Sequence, residues 1–195
     1  MDQFELEINR QKEIVKALMP NLDLPEEKLR EVAQRYCAAI EPNFVYWLSA
    51  TNLSVNSIEA KYACSENLLI EIKDDHRKML REFMRQIHCT PSNEHYTCIS
   101  KEVEGINLTI SKLNSSTNLA LMAYLENTSE IFIPVIEQIA IKLGAKDLMY
   151  TKVHGIADIR HSQQFNWALK YESTSSNYEL AFILGQNLIR KIFTF

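Results

Sequence analysis

His154-Gly-Ile-Ala-Asp158-Ile-Arg-His161 is the stretch on which the reading of this 195-residue chain turns. On an α-helix each residue advances about 100°, so positions i, i+4 and i+7 fall within roughly a 60° arc. Two imidazoles and a carboxylate then stand one above another on a single stripe. The neighbouring turns are apolar, with Leu148, Met149, Tyr150, Val153, Ile156, Ala157, Phe165, Trp167 and Leu169. Three ligand-type side chains on so apolar a helix predict a buried polar site, and their types predict a metal. The opposing reading makes His154 and His161 surface histidines, with Asp158 in an ordinary intrahelical pair. The chain has only five histidines, and two of them at this spacing favour the metal.

Composition sets the frame for that helix. A chain of this length is one domain, residues 1–195, and can bury a core of its own. Hydrophobic residues at 46% and charged residues at 24% are globular values. Four glycines and five prolines are few for a sheet protein with many tight turns, and they predict long helices with short connections. A net charge of −4 gives no basic footprint for nucleic acid. No apolar run of membrane-spanning length is evident, and Met1-Asp-Gln-Phe-Glu lacks the layout of a signal peptide. Cys37, Cys64, Cys89 and Cys98 form no Cys-x-x-Cys pair, so reduced thiols in a cytoplasmic protein are expected.

Along the chain, residues 4–19 read as a first helix ended by Pro20. Asp23-Leu-Pro25-Glu-Glu is a helix start, and the second helix runs to about Ser49 with a kink at Pro42. Ser57 is positioned to cap a third helix over about 58–88. Residues 89–100 are the longest turn-rich stretch, and 101–116 read either as helix or as an extended connection. A long helix spans about 117–143, interrupted by Pro134 and stopped by Gly144. The motif helix follows over about 148–172, then a loop at 173–177 and a last helix at about 178–192. The whole predicts an all-α bundle of about seven helices.

A bundle builds a metal site by pointing ligands inward from facing helices. Glu71 and His76 on the third helix and Glu126 or Glu130 on the long one are the further candidates. Carboxylates with imidazoles suit iron or manganese. Glu71 and His76 lie five residues apart, about 140° around a regular helix, so a shared site needs a bend or bulge between them. Asp74-Asp75 marks the place, and Asp75 replaces His76 as candidate if the helix stays regular. A rival cluster, His88-Cys89 with His95 and Cys98, matches no common zinc spacing. Nucleophile-elbow, phosphate-loop and dinucleotide motifs are missing.

His154-x3-Asp158-x2-His161 resembles the last ligand helix of the haem-oxygenase-like diiron oxidases and oxygenases, which share the TenA/PqqC fold. Arg35-Tyr36 through Phe44-Val-Tyr46-Trp-Leu-Ser-Ala50 is similar to that family's second helix. Asn67-Leu-Leu-Ile-Glu71 resembles its Asn-Leu-x-x-Glu, Phe83 its aromatic residue beyond the first ligand histidine, and Ala123-Tyr-Leu-Glu126 its middle helix. The resemblance covers about residues 27–170. It implies a single haem-oxygenase-like bundle holding two iron ions, or iron with manganese, through Glu71, His76, Glu126, His154, Asp158 and His161. Glu126 is preferred over Glu130 because its distance to His154 is nearer the family's spacing.

What the resemblance implies is O2 activation to oxidise a small amine, amino acid or fatty acid. No nucleic-acid or membrane partner is expected, and a homodimer is compatible with it. The alternative is a protein-interaction domain of the same fold with a degenerate metal site, a reading fed by the short Glu71–His76 spacing.

Overall fold

Start and stop chemistry sets the helix boundaries. α1 (Gln3–Leu18) ends before Pro20, and α2 (Glu26–Ile40) opens behind Pro25 with Glu26 and Glu27 at the positive end of the helix dipole. Pro42 has no N–H for the helical ladder, and the chain responds with a full turn rather than the expected kink. α3 (Phe44–Ser54) then starts on a new axis. Ser57 caps α4 (Ile58–Lys73) by accepting from the Ala60 amide. The expected third helix is likewise divided: after α4 comes a break, then α5 (His76–Gln86).

α6 (Asn93–Ile110) corrects the sequence reading, which left residues 89–100 as turns. It starts early because the Ser92 N–H donates to His95 Nδ1 at 3.1 Å. A histidine there performs the role usually taken by Glu or Gln in a capping box. α7 (Ser115–Lys142) is capped by Asn114, whose side chain accepts from the Thr117 amide. It closes at Gly144, where φ is +89° and the Ala145 N–H reaches back to Ala140 O at 2.8 Å. α8 (Met149–Leu169) carries the His-Asp-His stripe, and α9 (Glu179–Phe193) ends the bundle.

The computed structural model describes residues 3–172 and 178–195, with nine helices and no strand among them. The predicted loop at 173–177 lies outside the described residues. α7 is the central element and packs against α8, α9, α1, α3 and α2. It alone among the described helices is long and apolar enough to cross a membrane. Every residue from Asn118 to Ser129 on it is buried, as expected of a core helix wrapped by protein. α9 packs against α7 at Gly185, where a Cβ would sit 2.3 Å from the Tyr124 ring, so only glycine allows this packing. Trp47 anchors α3 inside the core and donates from Nε1 to Asn107 Oδ1 at 2.7 Å. α7, its neighbour α8 and the α4–α5 junction, which packs on α8, enclose the polar site.

Candidate metal centre

The break between α4 and α5 creates half of the site. Asp74 closes α4, and Asp75 takes a left-handed conformation with φ +48°. That reversal cancels the angular offset a straight helix would impose, and Glu71 and His76 both turn inward. His76 Nδ1 lies 2.7 Å from Glu71 Oε1, and both side chains are buried. Asp75 itself is exposed and caps α5, accepting from the Lys78 amide at 3.2 Å. Of the two candidates here, His76 faces the site. His154 approaches from α8, its ring 4.6 Å from that of His76. Its Nδ1–H donates to Tyr150 O at 2.8 Å, which fixes the tautomer and leaves Nε2 as the lone pair. Glu71, His76 and His154 offer ligand atoms that all lie within 4.8 Å of one another.

α7 and α8 make the second group without any break. Glu126, Asp158 and His161 also bring their ligand atoms within 4.8 Å of one another. His161 Nδ1 stands 3.6 Å from Glu126 Oε1. Glu130, one turn further along α7, is engaged elsewhere: Lys12 donates to it at 2.8 Å and Ser162 at 3.3 Å. Glu126 is therefore the glutamate that meets the α8 stripe.

The donor set fits a cation. His76 Nε2 and both ring nitrogens of His161 are buried with no hydrogen-bond partner. Buried polar atoms are nearly always paired, so the free lone pair of His76 Nε2 and the one lone pair of the His161 ring indicate a missing partner that accepts lone pairs. Electrostatics agree. Burial pushes the Glu126 carboxyl well above its usual range, and the Glu71 charge adds to the push. Burial and the Glu126 charge do the same to Asp158, against a hydrogen bond from Ser129. Burial holds His154 down to about 4 and also lowers His161. For His76 burial works downward too, but the hydrogen bond and charge of Glu71 prevail and raise it. The neutral imidazoles of His154 and His161, beside carboxyls that resist ionising in isolation, are the state a positive ion would stabilise. With oxygen and nitrogen donors and no thiol, iron or manganese suits the set better than zinc.

Both groups border one pocket that opens to solvent. Glu71, His76, His154, Glu126 and Asp158 line its floor, and Ile40, Phe44, Val45, Leu80, Phe132 and Ile133 line its walls. Tyr36 and Tyr150 share a 2.5 Å O···O hydrogen bond on the same wall. Glu41 at the rim accepts from Arg77 at 3.2 Å and from Arg81 at 3.0 Å. The sequence reading placed Tyr36 and Tyr150 on helices but did not assign them, Ser129 or Arg77 to a site. Their spacing carries no motif, and only the tertiary packing of α2, α5, α7 and α8 brings them together. The rival cluster does not assemble: Cys89 is buried with its thiol toward Ile87 O, and His95 is a helix cap.

A family model described as iron-containing redox enzymes matches residues 13–182. The chain belongs to this family. The match runs from the last six residues of α1 through the first turn of α9, so all six residues of the two groups fall within it. Membership of this iron-containing redox enzyme family is consistent with the all-helical, haem-oxygenase-like bundle. No curated protein and no solved structure matches the chain at a significant level.

Proposed function

We propose that this member of the family is a non-haem dinuclear-iron enzyme that activates O2 to oxidise a small, largely apolar carboxylic acid. Glu71, His76 and His154 would hold one ion and Glu126, Asp158 and His161 the other, iron in both or iron with manganese. Iron bound there supplies the electrons that O2 reduction requires. The observation that supports this reading most is the set of orphaned histidine nitrogens on two adjacent groups that open into one pocket.

The chain's own residues fit the rest of the task. The apolar walls exclude water and accept a hydrocarbon or aryl body. Arg77 lines the mouth beside Glu41, and its guanidinium is the group there that could receive an acidic head group, which favours the acids among the amine, amino acid and fatty acid options. The Tyr36–Tyr150 pair holds a proton between two phenols beside His154, whose ring lies tilted against Tyr150 at 4.2 Å. Both phenols are pushed upward by burial and keep their protons. Cys37, Cys64, Cys89 and Cys98 are all unpaired, which supports the expectation of a reducing, cytoplasmic setting.

The alternative interaction-domain reading drew on the short Glu71–His76 spacing, and the Asp75 turn removes that motive. The decisive measurement is metal content by elemental analysis after expression with ferrous iron. About two ions per chain with O2 consumption on adding a fatty acid is expected of a two-metal site. Folded protein that takes up no iron would overturn the enzyme reading.

A further inference from the structure

Tyr36 and Tyr150 leave one hydrogen-bond donor over. Their phenol oxygens lie 2.5 Å apart, and both side chains are buried. Phenols titrate at about 10, so at neutral pH the pair carries two protons. One of them spans the gap between the oxygens, whichever phenol gives it. The other has no acceptor among the described residues, because neither oxygen takes part in a second hydrogen bond. A buried donor without an acceptor is costly, and native structures seldom keep one.

The surroundings narrow where an acceptor comes from. Phe83 lies against Tyr150 with ring centres 5.3 Å apart, and Phe132 against Tyr36 at 5.9 Å. Neither ring offers a lone pair. The open side is the pocket, which both tyrosines line together with Glu71 and Asp158. The charges of these two carboxylates, one from each ligand group, act on both phenols. The free O–H therefore belongs to the part of the pocket where a bound molecule meets the two groups.

The kind of acceptor follows from charge and depth. An ammonium group has no lone pair to give. A carboxylate would lose its hydration at so buried a place. The half-exposed Arg77 guanidinium at the mouth suits it better, since Glu41 takes only its Nε and Nη2. What remains is a neutral oxygen: a carbonyl, a hydroxyl or an ether.

We propose that the substrate is a carboxylic acid whose apolar body carries such an oxygen, received by the free phenol O–H of the Tyr36–Tyr150 pair. This assignment rests on the acid reading above and narrows it, since an unsubstituted fatty acid fills the apolar walls and leaves the O–H unpaired. Two anchors, Arg77 at the mouth and the phenol inside, also fix which carbon of the body faces the ligand groups. Tyr36 and Tyr150 are then the residues that set specificity, because a site built to hydrogen-bond an oxygen rejects the analogue that lacks it.

Isothermal titration of the full chain under argon, where no O2 is present to turn a substrate over, compares decanoic acid with its 4-, 6- and 8-oxo derivatives. At least one oxo acid is expected to bind the parent at least about tenfold tighter than decanoate. Tyr36→Phe and Tyr150→Phe together should abolish that preference, leave decanoate within about twofold of its parental affinity, and raise the infrared ketone stretch of the bound oxo acid. If no oxo acid is preferred over decanoate, the free O–H is satisfied by water and the proposal is overturned. A preference that survives the double variant overturns it as well. Should the double variant fail to fold, the single variants decide: a ketone stretch that rises in at least one supports the pair, and one that rises in neither overturns it. Iron uptake does not enter this measurement. A chain that takes up no iron loses the enzyme reading and leaves the comparison of acids intact. An iron-loaded chain that consumes O2 with decanoate and prefers no oxo acid loses only the present proposal.

Discussion

Glu172 and Glu126 are both buried glutamates, 4% and 3% exposed, yet the protein treats them in opposite ways. Glu172 sits past the end of α8, and its carboxylate is filled with donors at the start of α4. The Asn56 and Ser57 amides each donate at 3.0 Å and Ser57 Oγ at 2.8 Å. Burial alone would push this carboxyl up, but these hydrogen bonds prevail and hold it below its usual range. Glu126 has burial without donors, and a neighbouring Glu71 charge besides. The first is a strut that ties α8 to the positive end of α4. The second receives no hydrogen bond and has only the His161 ring at 3.6 Å. A buried acid with its donors supplied stabilises the fold, and one without them is kept for something that arrives from outside.

Iron content should separate the two most widely. Glu126→Gln and His161→Ala are each expected to lower bound iron from about two ions per chain to about one and O2 consumption by at least about 100-fold. Glu172→Gln should leave both unchanged. Metal-free His161→Ala should unfold at nearly the parent temperature, because truncating a ring whose nitrogens are both orphaned relieves as much as it removes. If the variant retains parental iron, the stripe on α8 is structural. If it does not fold even without metal, His161 is a core residue.

Stability of the metal-free protein gives the comparison a sign. Glu172→Leu strands the Asn56 and Ser57 amides and should cost about 2–4 kcal/mol in urea unfolding. Glu126→Leu removes an acid that nothing neutralises and should stabilise by about 1–3 kcal/mol. Equal losses from both substitutions would show that Glu126 is satisfied in solution.

The pH dependence of the same protein runs in two directions, with a slope of up to about 1.4 kcal/mol per pH unit for each proton. Glu172 is held below its unfolded value, so its stabilisation is present above about 4.5 and fades as pH falls through the folded value. Glu126 and Asp158 are held above theirs. Folding then retains their protons, and that contribution is present at low pH and lost as pH rises through the folded values. Glu172→Gln should flatten the acid limb of a thermal-stability profile, and Glu126→Gln the loss toward neutral pH. Reversal of either assignment would break the comparison.

How much of this was legible in the chain differs by residue. His154, Asp158 and His161 were readable because helical periodicity alone aligns them, and Asp158 and His161 are deeply buried as expected. The irregular turn before His76 was readable from angle arithmetic on Glu71 and His76. The choice of Glu126 over Glu130 was not, since the two share one face of α7, and only the reach of Lys12 from α1 removes Glu130. The start of α6 was hidden because a histidine at the third helical position is a rare capping partner. Glu172 was invisible for a plainer reason. Its donors lie 115 and 116 residues away, and no local pattern announces a long-range contact.

Glu71 stands between the two extremes, since it has one partner, His76, and owes it to the turn at Asp75. The smallest predicted effects are there. Asp75 contributes a cap to α5 and is itself strained by its left-handed conformation. Glycine relieves roughly 1 kcal/mol of that strain and forfeits only a few tenths of the cap, so Asp75→Gly should be neutral or slightly stabilising. Alanine keeps the strain and loses the cap, so Asp75→Ala should cost about 1 kcal/mol. Both variants should keep the parental iron content, because the Asp75 side chain points to solvent. Thermal unfolding checks the order of the two, and elemental analysis checks the iron. A drop in iron for Asp75→Gly with stability intact would mean that the turn must be rigid, not merely left-handed, for Glu71 and His76 to face one ion. Glu71 would then resemble Glu172, a carboxylate set by the fold, more than Glu126.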